Sequence, residues 1–327
     1  MKNIAIIGSG SWGMALAIYL ARQGNKVNVW SYLQEEADLI NKNRQCKFLP
    51  NVKLPENISC FSEYKEVIRD SDLILHVTPS KFVRSTFTTY KKYITKQPII
   101  LCTKGFELET LYTLDEVLKE EKKDVTIAVL SGPSHAEEVA IDIPTALVLA
   151  CENQKLLETV QKLFSSETLR IYTSEDIKGV ELGGGLKNII AFCSGIATSI
   201  GLGDNSIAAL ITRGLAEIAR LGCKMGAKLE TFYGLTGIGD LIVTCLSEHS
   251  RNRKAGKLIG IGKSIEETKQ EVGMTIESID NIEVAYKLAQ KYKVDMPIVE
   301  TTYDILYNNL NPKQAVNNLM LRELKSE

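Results

Sequence analysis

The sequence predicts an α/β fold: a doubly wound, largely parallel sheet with helices on both faces, followed by an all-helical C-terminal domain. Three observations predict it. Short apolar runs alternate with helix-compatible stretches as far as about residue 177. A glycine-rich turn joins the first run to the first helix. Beyond that point the strand-like runs give way to long Ala-, Ile-, Leu- and Gly-rich segments with helical spacing.

In chain order, Asn3–Ile7 reads as a strand that breaks at Gly8-Ser9-Gly10. A helical pattern follows, with Met14, Leu16, Ala17, Leu20 and Ala21 apolar, and closes near Gly24. Further strands are expected at Lys26–Trp30, Leu73–Thr78, Ile99–Thr103, Val125–Leu130 and Ala146–Ala150. The change of character near Ser174 to Lys178 divides the chain into an expected sheet domain, 1–177, and a helical domain, 178–327. Helical spacing runs through Val180–Leu221 and recurs at 264–271, 277–292 and 296–310. There is no internal repeat and no low-complexity tail.

A formal net charge of −1 gives nucleic acid or an anionic membrane nothing global to bind, so any anion must be held by a local site. Seven scattered cysteines without a Cys-x-x-Cys pair exclude the common zinc and redox motifs and suggest reduced thiols. The apolar run before Gly8 is too short for a signal peptide or a spanning helix, so a soluble cytoplasmic protein is expected. His76, His135 and His249 lack metal-ligand spacing, and no metal is expected.

Gly8-Ser9-Gly10-Ser11-Trp12-Gly13 fits G-x-G-x-x-G between a strand and a helix, the context in which that pattern holds a dinucleotide. Gly8 permits the tight turn, Gly10 the approach of a pyrophosphate, and Gly13 close helix–strand packing, while the helix N-terminus favours anions. The alternative is a glycine turn that packs a helix and binds nothing. The second strand ends Val29-Trp30-Ser31-Tyr32 without the acid expected ~20 residues after the glycines to bind ribose hydroxyls. Glu35 and Glu36 follow and read as residues of a solvated helix. Tyr32 can stack on adenine or stand exposed without a ligand.

Lys104, in Thr103-Lys104-Gly105 beyond a strand end, is either an anion contact or a solvated loop lysine. Ser131-Gly132-Pro133-Ser134-His135 opens a helix, so Ser134 is either an anion contact or a cap. Lys187 and Asn188 lie in a strongly apolar helical run, although lysine is almost never buried without a partner. Desolvation brings a lysine toward proton exchange at neutral pH, which suits acid/base work beside a hydride transfer, with Asn188 an orienting amide. A lysine snorkelling to the surface is the bland alternative. Gly234-Leu235-Thr236-Gly237-Ile238-Gly239-Asp240 forms a glycine-rich turn ending in an acid. Ser250-Arg251-Asn252-Arg253 is either a bidentate phosphate clamp or an exposed basic turn.

Taken together and in order, these motifs resemble the bacterial-type NAD(P)-dependent glycerol-3-phosphate dehydrogenase family. The resemblance is carried by Gly8–Gly13, Thr103-Lys104-Gly105, Ser131–Ser134, Glu181-Leu182-Gly183-Gly184 with Leu186-Lys187-Asn188, Gly234–Leu241 and Ser250–Arg253, and it spans residue 3 to about 310. It implies a Rossmann domain, a helical domain, a substrate cleft between them, and Lys187 as proton acceptor when glycerol 3-phosphate is oxidised. By motif it puts a phosphorylated triose or glycerol substrate against Lys104, Gly132, Ser134, Lys187, Asp240, Ser250, Arg251 and Asn252. It puts NADPH or NADH against Ser11, Trp12, Tyr32, Lys104, Ala136 and Arg251, and, through Gly273-Met274-Thr275-Ile276-Glu277, against Thr275 and Glu277. It further implies supply of glycerol 3-phosphate for phospholipid synthesis. A homodimer is compatible with the sequence, which does not give the oligomeric state. The chain departs from the family at Gly185, usually alanine-like, at Ser278-Ile279-Asp280, usually Gly, an apolar residue and Arg, and at Tyr32, often His.

Because no carboxylate stands directly after the second strand, both reduced cofactors are expected to work, with a moderate preference for NADPH. Two other functions fit the same plan. One is a dehydrogenase that uses a buried lysine on a 3-hydroxy acid. The other is a nucleotide-sensing module without turnover.

Overall fold

The structure, a computed structural model, describes residues 1–324 and 326. The chain divides into two compact units, Met1–Lys104 with Tyr112–Glu181, and Gly105–Leu111 with the residues from Leu182 onward.

The first unit is an eight-stranded sheet: β1 (Asn3–Ile7), β2 (Lys26–Trp30), β3 (Ile58–Phe61), β4 (Leu73–His76), β5 (Ile99–Leu101), β6 (Ile127–Ser131), β7 (Thr145–Ala150) and β8 (Leu169–Ser174). Their spatial order is β3-β2-β1-β4-β5-β6-β7-β8. Every neighbouring pair is parallel except β6 with β7. Seven helices accompany them: α1 (Ser11–Arg22), α2 (Gln34–Asn43), α3 (Tyr64–Ile68), α4 (Val83–Tyr90), α5 (Leu114–Glu121), α6 (Ala136–Val139) and α7 (Gln154–Phe164). Along β1, Ile4 and Ile6 enter one apolar cluster with α1, whereas Ala5 and Ile7 enter another with Phe87 and Val117. Successive side chains of a strand point to opposite faces, so a strand covered on both faces must be apolar throughout. Strand order reverses between β1 and β4, the place where open α/β sheets bind ligands beyond their strand ends.

Two strands escaped the sequence reading, β3 and β8, and they are the two edges of the sheet. In β8, Leu169 and Ile171 are buried while Arg170 and Tyr172 are exposed, so neither edge shows the continuous apolar run of a central strand.

The second unit is helical. Besides the segment Gly105–Leu111 it takes in most of α8 (Ile177–Ser199) and continues through α9 (Asp204–Lys224), α10 (Leu229–Phe232), a π turn (Leu235–Gly239), α11 (Asp240–Leu246), α12 (Arg251–Gly260), α13 (Ile265–Val272), α14 (Glu277–Tyr292), α15 (Pro297–Tyr307) and α16 (Pro312–Met320). One core gathers Leu186, Ile190, Leu221, Phe232, Leu241 and Ile282. Leu229–Leu246 is long and apolar enough to span a membrane by length and composition. It is broken into α10, the π turn and α11, and it buries Phe232, Leu241 and Cys245 in that core. The seven cysteines form no disulfide, and only Cys223 is exposed.

Candidate active site

In the first unit, β1 ends at the glycine turn. Gly8 has φ +126, in the region that disfavours side chains, and its N–H donates to the Trp30 carbonyl at 3.2 Å. A Cβ on Gly13 would lie 2.0 Å from the Gly8 carbonyl oxygen, so the helix packs on the strand only with glycine there. Gly10 differs from both. Its backbone is extended and a Cβ would meet no atom within 4 Å, so neither conformation nor internal packing requires glycine. Gly10 caps α1 without a side-chain hydrogen bond, and no acid occupies the first turn. The amides of Ser11, Trp12 and Gly13 thus form a helix N-terminus suited to an anion. Ser11 and Trp12 are half-buried there.

Lys104, Gly132 and Ser134 meet at one atom. The Gly132 carbonyl accepts from Lys104 Nζ at 3.0 Å and from Ser134 Oγ at 2.9 Å. Lys104 is therefore no solvated loop lysine. Ser134 does not cap α6; His135 holds that position, and Ala136 is buried as the first helical residue.

At the end of β2, Tyr32 is 81% exposed and sets its ring edge-on to Trp30, which stacks on Tyr64. The expectation that Glu36 is solvated is corrected here. Its Oε2 accepts from Ser31 Oγ at 2.5 Å and from Ser9 Oγ at 2.9 Å, and its Oε1 lies 3.1 Å from Lys47 Nζ. Burial alone would raise this carboxyl, but the bonds from Ser31, Lys47 and Ser9 outweigh it and hold the group below its usual range. Ser9 comes from the glycine turn, a contact that no local pattern around Glu36 announces.

In the second unit, Lys187 is buried and paired, which removes the snorkelling alternative. Its Nζ donates to Asp240 Oδ1 at 2.6 Å and to Thr244 Oγ1 at 2.5 Å, and Thr244 Oγ1 donates to the Asp240 carbonyl at 2.6 Å. Asp240 and Thr244 share one face of α11 because they stand one turn apart. Thr244 was missed by the sequence reading, although its spacing from Asp240 could have found it. A Cβ on Gly183 would come 2.9 Å from the Thr236 carbonyl oxygen, so α8 approaches the π turn through a glycine. The π turn, closed by Gly239 N–H donating to the Gly234 carbonyl at 3.2 Å, delivers Asp240 to Lys187.

The remaining residues form a second group in this unit. Arg251 Nη1 donates to the Thr275 carbonyl at 3.3 Å, the Ser278 N–H donates to Asn252 Oδ1 at 3.0 Å, and Asn188 Nδ2 donates to Glu277 Oε2 at 3.2 Å. Ser250 caps α12 by accepting from the Arg253 N–H. Asn188 is thus tied to Glu277 and the α14 N-terminus. His76 is structural: it is fully buried between Tyr90 Oη at 2.8 Å and Thr78 Oγ1 at 2.7 Å, and burial pushes its pKa down to about 3. Among the described residues no three His, Cys, Asp or Glu gather to hold a metal ion.

Comparison with known proteins gives this arrangement a family. Residues 3–157 match the N-terminal and residues 176–317 the C-terminal part of NAD-dependent glycerol-3-phosphate dehydrogenase. A protein of Agathobacter rectalis named glycerol-3-phosphate dehydrogenase [NAD(P)+] is 47% identical, covering 100% of this chain and 98% of its own. One of Bacillus subtilis with the same name is 45% identical over 98% of this chain and 95% of its own. The crystal structure of glycerol-3-phosphate dehydrogenase from Coxiella burnetii superposes with a TM-score of 0.95 at 40% identity, covering 98% of this chain and 99% of that one. The chain belongs to the NAD-dependent glycerol-3-phosphate dehydrogenase family.

The residues present fit the dinucleotide of that family. The open space at Gly10, the uncapped α1 N-terminus and the exposed Tyr32 ring offer a pyrophosphate and an adenine what each needs. The family's usual Gly before an apolar residue and Arg is Ser278-Ile279-Asp280 here, and Ser278 still ties Asn252 through its backbone, a contact any residue can make. At Gly185, the other departure, a Cβ would lie 2.7 Å from the Phe106 ring, so glycine here admits that ring.

Proposed function

We propose that the chain interconverts dihydroxyacetone phosphate and sn-glycerol 3-phosphate with NADH or NADPH, and that Lys187 is its acid/base. The observation that carries this reading is the buried Lys187–Asp240 pair. Bound NAD(P)H supplies the hydride that the carbonyl carbon receives. Lys187 Nζ gives its proton to the carbonyl oxygen as negative charge develops there, and takes it back from the hydroxyl in the oxidation direction. Asp240 compensates the buried ammonium, and together with Thr244 it fixes two of the donor directions of Nζ.

The substrate phosphate is assigned to Ser250, Arg251 and Asn252, with Lys104, Gly132 and Ser134 as further contacts. Asn252 already uses its carbonyl oxygen on Ser278, which leaves its amide to donate, and Ser250 uses a lone pair on Arg253, which leaves its hydroxyl to donate. The dinucleotide is assigned to Gly8, Gly10, Ser11, Trp12, Gly13, Tyr32, Lys104, Ala136, Arg251, Thr275 and Glu277. In this reading residues 1–177 form the dinucleotide-binding domain and 178–327 the substrate and catalytic domain, which adds Arg251, Thr275 and Glu277 to the cofactor contacts. A cytoplasmic enzyme supplying glycerol 3-phosphate for phospholipid synthesis, acting alone or as a homodimer, completes it.

Oxidation of NADH and NADPH, followed with dihydroxyacetone phosphate and with a panel of 2- and 3-keto acids, tests the proposal. Turnover confined to dihydroxyacetone phosphate is expected. Turnover of a keto acid instead would favour a hydroxy-acid dehydrogenase, and cofactor binding without turnover would favour a sensing module.

A further inference from the structure

The Ser9–Ser31–Glu36 cluster stands where the two cofactors differ chemically. NADPH carries a phosphate on the adenosine ribose, and NADH carries a hydroxyl there. In sheets of this kind the ribose lies beyond the end of the second strand, and a carboxylate about twenty residues after the glycines accepts from its hydroxyls. Ser31, fully buried, follows β2 directly, Ser9 belongs to the glycine turn, and Glu36 lies in the first turn of α2. The two hydroxyls converge on one oxygen of Glu36 and aim the carboxylate back at the glycine turn.

We propose that Glu36, held by Ser9 and Ser31, is the residue that selects between the two cofactors, and that it selects NADH. This rests on the assignment of the dinucleotide to the glycine turn. An ionised carboxylate offers about four acceptor positions. Ser9, Ser31 and Lys47 take three, which leaves one for a ribose hydroxyl. A ribose phosphate brings a charge of like sign against the same carboxylate and has no proton to give it. Glu35 adds a second acid to the first turn of α2, so that helix N-terminus does not welcome the phosphate either. Lys47, a cation beside this carboxylate, is already paired with it. This is the opposite of the preference expected from the sequence, because Glu36 stands on α2 and folds back rather than following β2 directly.

The test is kcat/KM for NADH and NADPH with dihydroxyacetone phosphate, together with the dissociation constant of each cofactor from its fluorescence. The wild-type protein should favour NADH by about tenfold or more, the scale of a like-charge penalty. E36Q, which keeps the shape and an acceptor for Ser31, should erase most of that preference by tightening NADPH. S31A, which only loosens Glu36, should shift the ratio the same way by less. A wild-type preference for NADPH, or a ratio unmoved in E36Q, would overturn the proposal. G10V separates this from the assignment beneath it, because a Cβ at Gly10 meets no atom within 4 Å. If G10V loses both cofactors while E36Q leaves the ratio unmoved, only the role of Glu36 falls. If G10V binds both as the wild type does, the dinucleotide lies elsewhere and both readings fall.

Discussion

At the scale of single residues, what the sequence made legible was chemistry out of place. A lysine inside an apolar helix needs a partner, and Asp240 supplies it at 2.6 Å. Which acid would pair with Lys187, and that Glu36 would turn from solvent to two serines, depended on contacts between residues far apart in the chain. Arg251 offers a direct check on the phosphate assignment. It is exposed, and its one described hydrogen bond is to the Thr275 carbonyl, so its guanidinium keeps donors for a phosphate. A charge-assisted bond contributes about 1.5–3 kcal/mol. R251A should therefore raise KM for dihydroxyacetone phosphate roughly 10- to 150-fold with a smaller effect on cofactor affinity. An unchanged KM in steady-state kinetics would move the clamp elsewhere.

At the scale of elements, central strands and long helices were readable because burial on two faces writes a continuous apolar run. The edge strands β3 and β8 were not, since buried residues alternate with half-buried ones in β3 and mostly with exposed ones in β8. The π turn was also hidden: Gly234–Gly239 announces a turn, but its close approaches, Gly183 to the Thr236 carbonyl and Gly237 to the Phe232 carbonyl, exist only in the folded chain. The start of α15 carries a testable pH dependence. Glu217, buried on α9, accepts from the Ile298 N–H at 2.9 Å and the Val299 N–H at 3.3 Å. Burial raises its pKa from 4.5 to about 7 against the lowering effect of those amides. Through that window the folded state keeps a proton that the unfolded chain has released. This contribution to stability is therefore full below pH 4.5 and is lost as pH rises through about 7. The slope is at most about 1.4 kcal/mol per pH unit. Gln cannot titrate, so the stability of wild type minus that of E217Q should fall between pH 5 and pH 7.5 in urea denaturation, a range of roughly two slope-widths. Glu181, pushed the same way by burial and by Asp115, is common to both proteins and cancels. A flat difference would mean that Glu217 is ionised throughout.

At the scale of the whole molecule, the proposed function divides the labour between the two units. The glycine turn, Tyr32 and Glu36 belong to the sheet unit, and Lys187, Asp240 and Thr244 belong to the helical one. The order of motifs along the chain carried both assignments, and the fold explains the order: a parallel sheet puts ligand-binding turns at its strand ends, whereas a helical core can hide a charged pair. If the division is right, chemistry and cofactor binding separate by mutation. The most direct measurement is K187M, which keeps the stem of the lysine and removes its ammonium. Its kcat with dihydroxyacetone phosphate should fall about 100- to 10,000-fold, the range for loss of a general acid/base. Its melting temperature should drop because the buried Asp240 carboxylate loses the ammonium 2.6 Å away, and its affinity for reduced cofactor should match the wild type. A folded K187M with near-normal kcat, or one that loses cofactor along with turnover, would contradict the account.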